Sequence, residues 1–400
     1  MAKKPTNILI LTSTYPRWDH DSTPGFVADF AAHIAPNVDN VYVLAPHFAS
    51  AAHRETTGNV HVARYRYFFP ASAENIAYSG GAVSKIKKTP VYAVKLLCFM
   101  AALFFSTLYT SLTKNISVIN AHWLVPQGFA GLLVKFITGH KLVITIHGGD
   151  VLTLNGKYMR IIKSFILRHA DTVCVNSSVT KDACVSLYDR DYEVIPMGIN
   201  FERYQAVQPS AELAACYNLN DFTILFVGRL AKEKGVIYLL QAAKLLKDAG
   251  ASFKTLIVGS GPLEDELKAY IRDNNLTDVV TMVGWVDSSE LPQYYATATV
   301  YVGPSLHEAQ GLVFLEALAT GLPVVTTDQG GMKDFIRNGE NGFMVPAQSP
   351  QALFDILARL YNDRSLLYTL HQQAASSVAG TYSWDAVTKA YVPLLKDLVA

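Results

Sequence analysis

Two glutamates, Glu308 and Glu316, are separated by seven residues in the stretch 305–321, and their settings differ. Glu308 falls in a loop after the apolar run 300–302. Gln310 and Gly311 then open an apolar helix, residues 312–320, that carries Glu316. A helix N-terminus presents free backbone N–H groups and the positive end of a dipole, so this turn suits a phosphate. Leu312, Val313, Phe314, Leu315, Ala317, Leu318 and Ala319 make the helix apolar nearly all round, which predicts a buried carboxylate at Glu316. A buried carboxylate needs hydrogen-bond donors. A diol such as a ribose brings two. The plain alternative is a glutamate on one exposed stripe.

Other chemistry-bearing groups also follow strand-like runs. Gly228-Arg229-Leu230-Ala231-Lys232-Glu233-Lys234-Gly235 comes after the run 223–227. Arg229 offers a planar fork and Lys234 a compact charge, and both could reach a diphosphate, with Lys232 facing solvent. Alone, such a loop reads as a solvated basic turn; the glutamates downstream shift the reading toward a diphosphate. His147-Gly148-Gly149-Asp150 follows the run 142–146. Its glycines permit close ligand approach. Asp150 could hold the tautomer of His147 or start the next helix as a cap. His122 and Trp123 could contact an acceptor or could equally be buried packing. Asp19 with Asp21 and Asp189 with Asp191 form two Asp-x-Asp triplets of the kind that can hold a divalent metal. The pair Arg229 and Lys234 makes a metal unnecessary, so the expectation is no metal and no cofactor.

Gly228-Arg229-Leu230 with Lys234-Gly235, Val258-Gly259-Ser260-Gly261-Pro262, Pro304-Ser305, Glu308, Gly311, Glu316-Ala317 and Gly321 with Pro323 recur in a set order. Asn338-Gly339-Glu340-Asn341-Gly342-Phe343 and Val345-Pro346 complete it. Together they resemble the signature of retaining glycosyltransferases of family 4, over nearly the whole chain. Gln310 departs from it, standing where an apolar residue is common, and only one glycine, Gly25, occupies the first loop. The resemblance implies a GT-B fold, two Rossmann-like doubly wound α/β domains facing a central cleft. It implies that Arg229 and Lys234 neutralise a departing pyrophosphate, and that His147 lies near the donor sugar. The residues it assigns to catalysis are His147, Arg229, Lys234 and Glu308. Donor binding is expected of Gly25, Gly228, Arg229, Lys234, Gly259, Glu308, Gln310, Gly311, Leu312 and Glu316, and acceptor binding of His122, Trp123 and Asp150.

The elements that must position these residues are strands alternating with helices. Residues 7–13, 40–45, 117–121, 142–147, 172–176 and 193–196 read as strands of a first domain. Residues 223–227, 254–258, 279–283, 299–302 and 323–327 read as strands of a second. Near-continuous apolar strands separated by helices predict parallel sheets covered on both faces. Domains are expected at 1–200 and 201–382, with a closing helix, 383–400, that the resemblance returns to the first domain. Four hundred residues exceed one ordinary core. The net charge of +1 gives no reason to expect a nucleic-acid partner. Cys98, Cys174, Cys184 and Cys216 lack metal-ligand spacing and fit a reducing compartment. No signal-peptide pattern opens the chain, so a cytoplasmic location is expected.

Residues 91–112 carry a single charge, Lys95, after the basic group Lys85, Lys87 and Lys88. The run is long enough to cross a bilayer, yet Ser106, Thr107, Tyr109, Thr110 and Ser111 dilute it. It reads as interior packing or as a segment, 85–112, in peripheral contact with the inner face of the cell membrane. The function these readings converge on is a retaining, metal-independent hexosyltransferase. It would take a nucleotide diphosphate sugar, GDP-mannose or a UDP-hexose, and deliver the hexose to a hydroxyl acceptor, a lipid-linked or cell-surface glycan precursor. The alternatives are a GT-B sugar-nucleotide epimerase and an inactive sugar-nucleotide-binding partner.

Overall fold

The computed structural model describes residues 6–19, 21, 23, 25–78, 91–153 and 156–399; Lys85, Lys87 and Lys88 lie outside them. The chain divides into two compact units, Met1–Gly198 with Trp384–Ala400, and Ile199–Ser383.

The first unit is built on an eight-stranded sheet. Its strands are β1 (Asn7–Leu11), β2 (Asn40–Pro46), β3 (Arg54–Thr57), β4 (Val60–Tyr65), β5 (Val118–His122), β6 (Lys141–Ile146), β7 (Thr172–Val175) and β8 (Glu193–Val194). Their order is β3-β4-β2-β1-β5-β6-β7-β8. Only β3 and β4 pair antiparallel. The six expected strands form within about two residues of their predicted limits; β3 and β4 were not expected. His61 and Arg64 break the apolar pattern of β4. Arg64 is nevertheless buried, donating to the carbonyls of Ala52 and Pro16 and pairing with Glu55 at 2.5 Å. A buried cation is tolerated when it is paired and hydrogen-bonded, as both terminal nitrogens of Arg64 are, although its Nε has no partner.

Helix α1 (Phe26–Ile34) buries Val27, Phe30, Ala31 and Ile34. The apolar run becomes one helix, α2 (Val91–Thr113), whose inner stripe is Lys95, Phe99, Leu103, Thr107 and Ser111. Phe99 and Leu103 belong to the unit's core. Lys95 is turned inward, its Nζ donating to the Ala73 carbonyl at 2.9 Å. Helices α3 (Phe129–Thr138) and α4 (Lys157–His169) continue the layer beside α2.

The second unit has six parallel strands, β9 (Thr223–Val227), β10 (Lys254–Val258), β11 (Val280–Gly284), β12 (Val300–Gly303), β13 (Val324–Thr327) and β14 (Gly342–Val345). Their order is β11-β10-β9-β12-β13-β14. The unexpected β14 is four residues long, too short for periodicity to reveal. Helices α5 (Val236–Asp248), α6 (Leu291–Thr297) and α7 (Leu312–Ala319) flank this sheet.

The last helix, α8 (Trp384–Asp397), completes the first unit. Tyr391 is fully buried, its hydroxyl 2.5 Å from Thr145 Oγ1 and its ring edge-on to Phe30. Strand order reverses at β1, which lies between β2 and β5, and at β9, which lies between β10 and β12. In doubly wound sheets ligands bind beyond the carboxyl ends of the strands at such reversals.

Candidate active site

In the second unit the candidate residues gather beyond β9 and β12, at the reversal. Gly228 and Arg229 leave the end of β9, and Arg229 is exposed. A 3-10 turn, Lys232–Lys234, follows, and Gly235 caps α5 at φ +63°. A Cβ on Gly235 would stand 2.1 Å from the Pro304 carbonyl oxygen, so only glycine lets this loop lie against the chain leaving β12. The two loops are tied by the Leu306 N–H, which donates to the Glu233 carbonyl at 2.8 Å. Lys234 Nζ then reaches Glu308 Oε2 at 2.5 Å, joining residues 74 apart in the chain. Gly259, at the end of β10, packs its backbone on Gly228.

Gly311, at φ +82°, caps α7, and Gln310 beside it is buried. Leu312 opens the helix half-buried. Glu316 is half-buried rather than fully buried. Its Oε2 accepts a hydrogen bond from Tyr295 Oη at 2.9 Å. Tyr295, on α6, is fully buried. The sequence did not single it out: a tyrosine in an amphipathic helix looks like core, and here it is core that also holds a carboxylate.

In the first unit the candidates lie beyond β1, β5 and β6. Gly25 caps α1. Phe26 places its ring 4.9 Å from that of His147. His122, the last residue of β5, is fully buried, and its Nδ1 lies 2.9 Å from His147 Nε2. His122 Nε2 has no hydrogen-bond partner. A buried N–H without an acceptor is rarer than a buried lone pair without a donor. We therefore assign the His122 proton to Nδ1, so that His147 Nε2 accepts and His147 carries its own proton on Nδ1. Burial pushes His147 down to about 3, and burial with the neighbouring His147 holds His122 well below the ordinary 6.5. Both rings are neutral at physiological pH. His147 can hydrogen-bond a sugar hydroxyl but cannot neutralise a phosphate.

Trp123 is half-buried at φ +76°, ψ +146°, a region that residues with a Cβ rarely occupy. Such strain collects at functional sites. Asp150 does not touch His147. Its Oδ2 instead accepts the Leu124 N–H inside the short helix Gly149–Leu152. Burial pushes its carboxyl up, against the Leu124 donor and the charge of Lys163. Trp123 thus has surface through which to meet an acceptor, whereas His122 and Asp150 are buried supports behind the surface.

Asp21 is engaged by Arg17, whose Nη2 and Nε donate to it at 2.5 and 2.8 Å. Burial raises this carboxyl, but the Arg17 and Thr23 donors outweigh burial and hold it well below the usual range. Among the described residues no three His, Cys, Asp or Glu side chains group as metal ligands.

Two doubly wound units, each with its polar loops at a strand reversal, define a GT-B glycosyltransferase. Residues 217–377 match the Glycosyl transferases group 1 family, and residues 26–203 match Glycosyltransferase Family 4. The chain belongs to the group 1 glycosyltransferases. It is 27% identical over 290 residues to a capsular polysaccharide biosynthesis glycosyltransferase of Staphylococcus aureus, covering 68% of this chain and 75% of that one. It is also 27% identical over 271 residues to a GDP-mannose-dependent α-(1-6)-phosphatidylinositol monomannoside mannosyltransferase of Mycobacterium tuberculosis, covering 64% and 69%. The fold matches sucrose-phosphate synthase from Thermosynechococcus elongatus at a TM-score of 0.80 and 23% identity, over 98% of this chain and 99% of that one.

Proposed function

We propose that this chain is a retaining, metal-independent hexosyltransferase. It transfers a hexose from GDP-mannose or a UDP-hexose to the hydroxyl of a lipid-linked or cell-surface glycan precursor, at the inner face of the cell membrane. The observation that carries the reading is the Lys234–Glu308 pair beyond β9 and β12, with Arg229 on the same loop as Lys234. The GDP-mannose and phosphatidylinositol monomannoside in the mannosyltransferase relative's name support a GDP-mannose donor and a lipid-linked acceptor, and the capsular polysaccharide biosynthesis of the other relative supports a cell-surface glycan.

The anomeric C–O bond to the diphosphate breaks, and its electron pair leaves on the phosphate oxygen toward Arg229 and Lys234. The acceptor oxygen bonds to the anomeric carbon from the same face and gives its proton to the departing phosphate. Charge grows on the diphosphate in an oxocarbenium-like transition state, where fixed cations act most strongly. Glu308 orients Lys234 and meets the sugar. Glu316 takes the ribose diol, neutral His147 takes a sugar hydroxyl, and Trp123 faces the acceptor.

A thermal-shift screen of UDP-, GDP-, ADP- and dTDP-sugars identifies the donor, since a ligand bound only by the folded state raises the melting point. Transfer to an alcohol, read by NMR, then separates a transferase from an epimerase. The expected product keeps the donor's anomeric configuration. An inverted product, or no melting shift with any sugar nucleotide, sinks the reading.

A further inference from the structure

Helix α2 has its polarity inside out. Its inner stripe holds Lys95, Thr107 and Ser111 beside Phe99 and Leu103. Its outer face holds Val91, Val94, Leu97, Phe105, Tyr109 and Leu112, all exposed, with Leu97 at 70% and Tyr109 at 65%. The helix has the length and composition to cross a membrane. Its inner stripe, however, is committed to the core of the first unit. Phe136 and Ile137 on α3 are exposed as well, and so are Tyr158, Ile161 and Phe165 on α4. The three helices pack side by side, α2 on α3 and α3 on α4. Most of the large apolar side chains exposed among the described residues lie on them.

The charge of this layer has one sign. None of the three helices contains an Asp or Glu. Lys157, Arg160 and Arg168 of α4 are exposed and form no ion pair among the described residues. Beside Phe105 and Tyr109, between α2 and strands β2, β3 and β4, opens a cavity of about 850 Å³. Its lining adds the exposed cations Arg54 and Lys114, while its one carboxylate, Glu55, is paired with Arg64.

We propose that the outer face of α2, α3 and α4 is a docking surface for an anionic lipid bilayer, on which α2 lies flat with its outer stripe among the headgroups and upper acyl chains. Apolar side chains together with unpaired cations are what such a surface binds. A second copy of this chain is the poorer occupant, because a two-fold contact would set the same acid-free patch against itself. The surface reaches beyond the segment 85–112 that the sequence pointed to, and α4 supplies its exposed cations. The proposal rests on the membrane placement given above and not on the transfer reaction.

The test is co-sedimentation of the full chain, without donor, with phosphatidylglycerol–phosphatidylcholine vesicles and with phosphatidylcholine vesicles. The protein is expected to sediment with the anionic vesicles and to be released as salt rises. Leu97→Ser with Phe105→Ser, and separately Arg160→Glu with Arg168→Glu, should each lower the partition by at least about tenfold. Both variants should keep the wild-type melting shift with the nucleoside diphosphate, which separates lost docking from lost folding. Wild-type protein left in the supernatant at low salt overturns the proposal. So does a serine variant that sediments like wild type, or a dimer that the serine variant dissolves while vesicles bind nothing. Vesicle binding with no glycosyl transfer would sink the reaction and leave the docking surface standing.

Discussion

Glu316 accepts a hydrogen bond from Tyr295 Oη and is only half-buried. Glu316→Gln should therefore weaken nucleoside diphosphate binding, because hydrogen bonds to a charged group contribute about 1.5–3 kcal/mol each. Loss of one such bond raises Kd by roughly 10- to 150-fold. Titration calorimetry reads this directly, and an unchanged Kd would remove the ribose from Glu316. Tyr295→Phe should produce a smaller rise, since it frees the carboxylate without removing it. Arg229→Ala and Lys234→Ala act later, on charge that forms only as the diphosphate departs. Each should lower kcat by roughly 10²–10³, and near-wild-type turnover in either would exclude that residue from the leaving-group site. The short motifs marked these residues because the chemistry fixes residue type and local spacing. They could not show that Lys234 meets Glu308, which is a matter of two loops 74 residues apart. Nor could they show Tyr295, whose role depends on which way a core helix turns.

The strands at the two reversals are apolar on both faces, and so were legible as continuous runs. β3, β4 and β14 were not: β3 is polar throughout, His61 and Arg64 break the apolar run of β4, and β14 is only four residues long. The same limit applies to His122 and Asp150. Strand ends alternate between the buried interior and the ligand side, and the sequence does not say which a given residue faces. At the end of β5 and just beyond β6 the outcome is a pair of stacked, neutral histidines. Their folded-state pKa values are depressed, so below about 6.5 the unfolded chain binds protons that the folded chain does not. Stability is therefore complete above about 6.5 and falls as pH drops from there toward 3. The slope reaches up to about 1.4 kcal/mol per pH unit per histidine. Urea melts at pH 7, 6 and 5 should show it, and His122→Gln should flatten it. Equal slopes in the two proteins would mean that His122 is protonated in the fold.

For the molecule as a whole, diphosphate stabilisation by Arg229 and Lys234 predicts that activity survives a chelator. Complete loss with EDTA, restored by magnesium or manganese, would overturn metal independence and return Asp21 to consideration. The first unit's composition makes a second prediction. Trp384, Val387, Tyr391 and Leu395 are buried in it, though they follow the whole of the second unit in the chain. Truncation after Ser383 leaves every strand of the first sheet intact yet opens the face of Phe30 and Thr145. The loss should exceed about 5 kcal/mol, since single large buried side chains are each worth 3–5. Loss of the helical and near-ultraviolet signal of residues 1–198 in the truncated chain would report it, and a native signal would show that α8 is dispensable.

The two passages between the units run side by side. Ile199 bridges to Ser383, and the backbone at Gly198 is pressed against Trp384. The second unit is thus an insert, entered and left at one point, within a host whose helix α8 is made only after it. During synthesis domains usually fold from the N-terminus onward. Here the first unit to emerge is the last that can finish, waiting with an open apolar face until residue 395 has left the ribosome. The inserted unit, complete by residue 383, is ready before it.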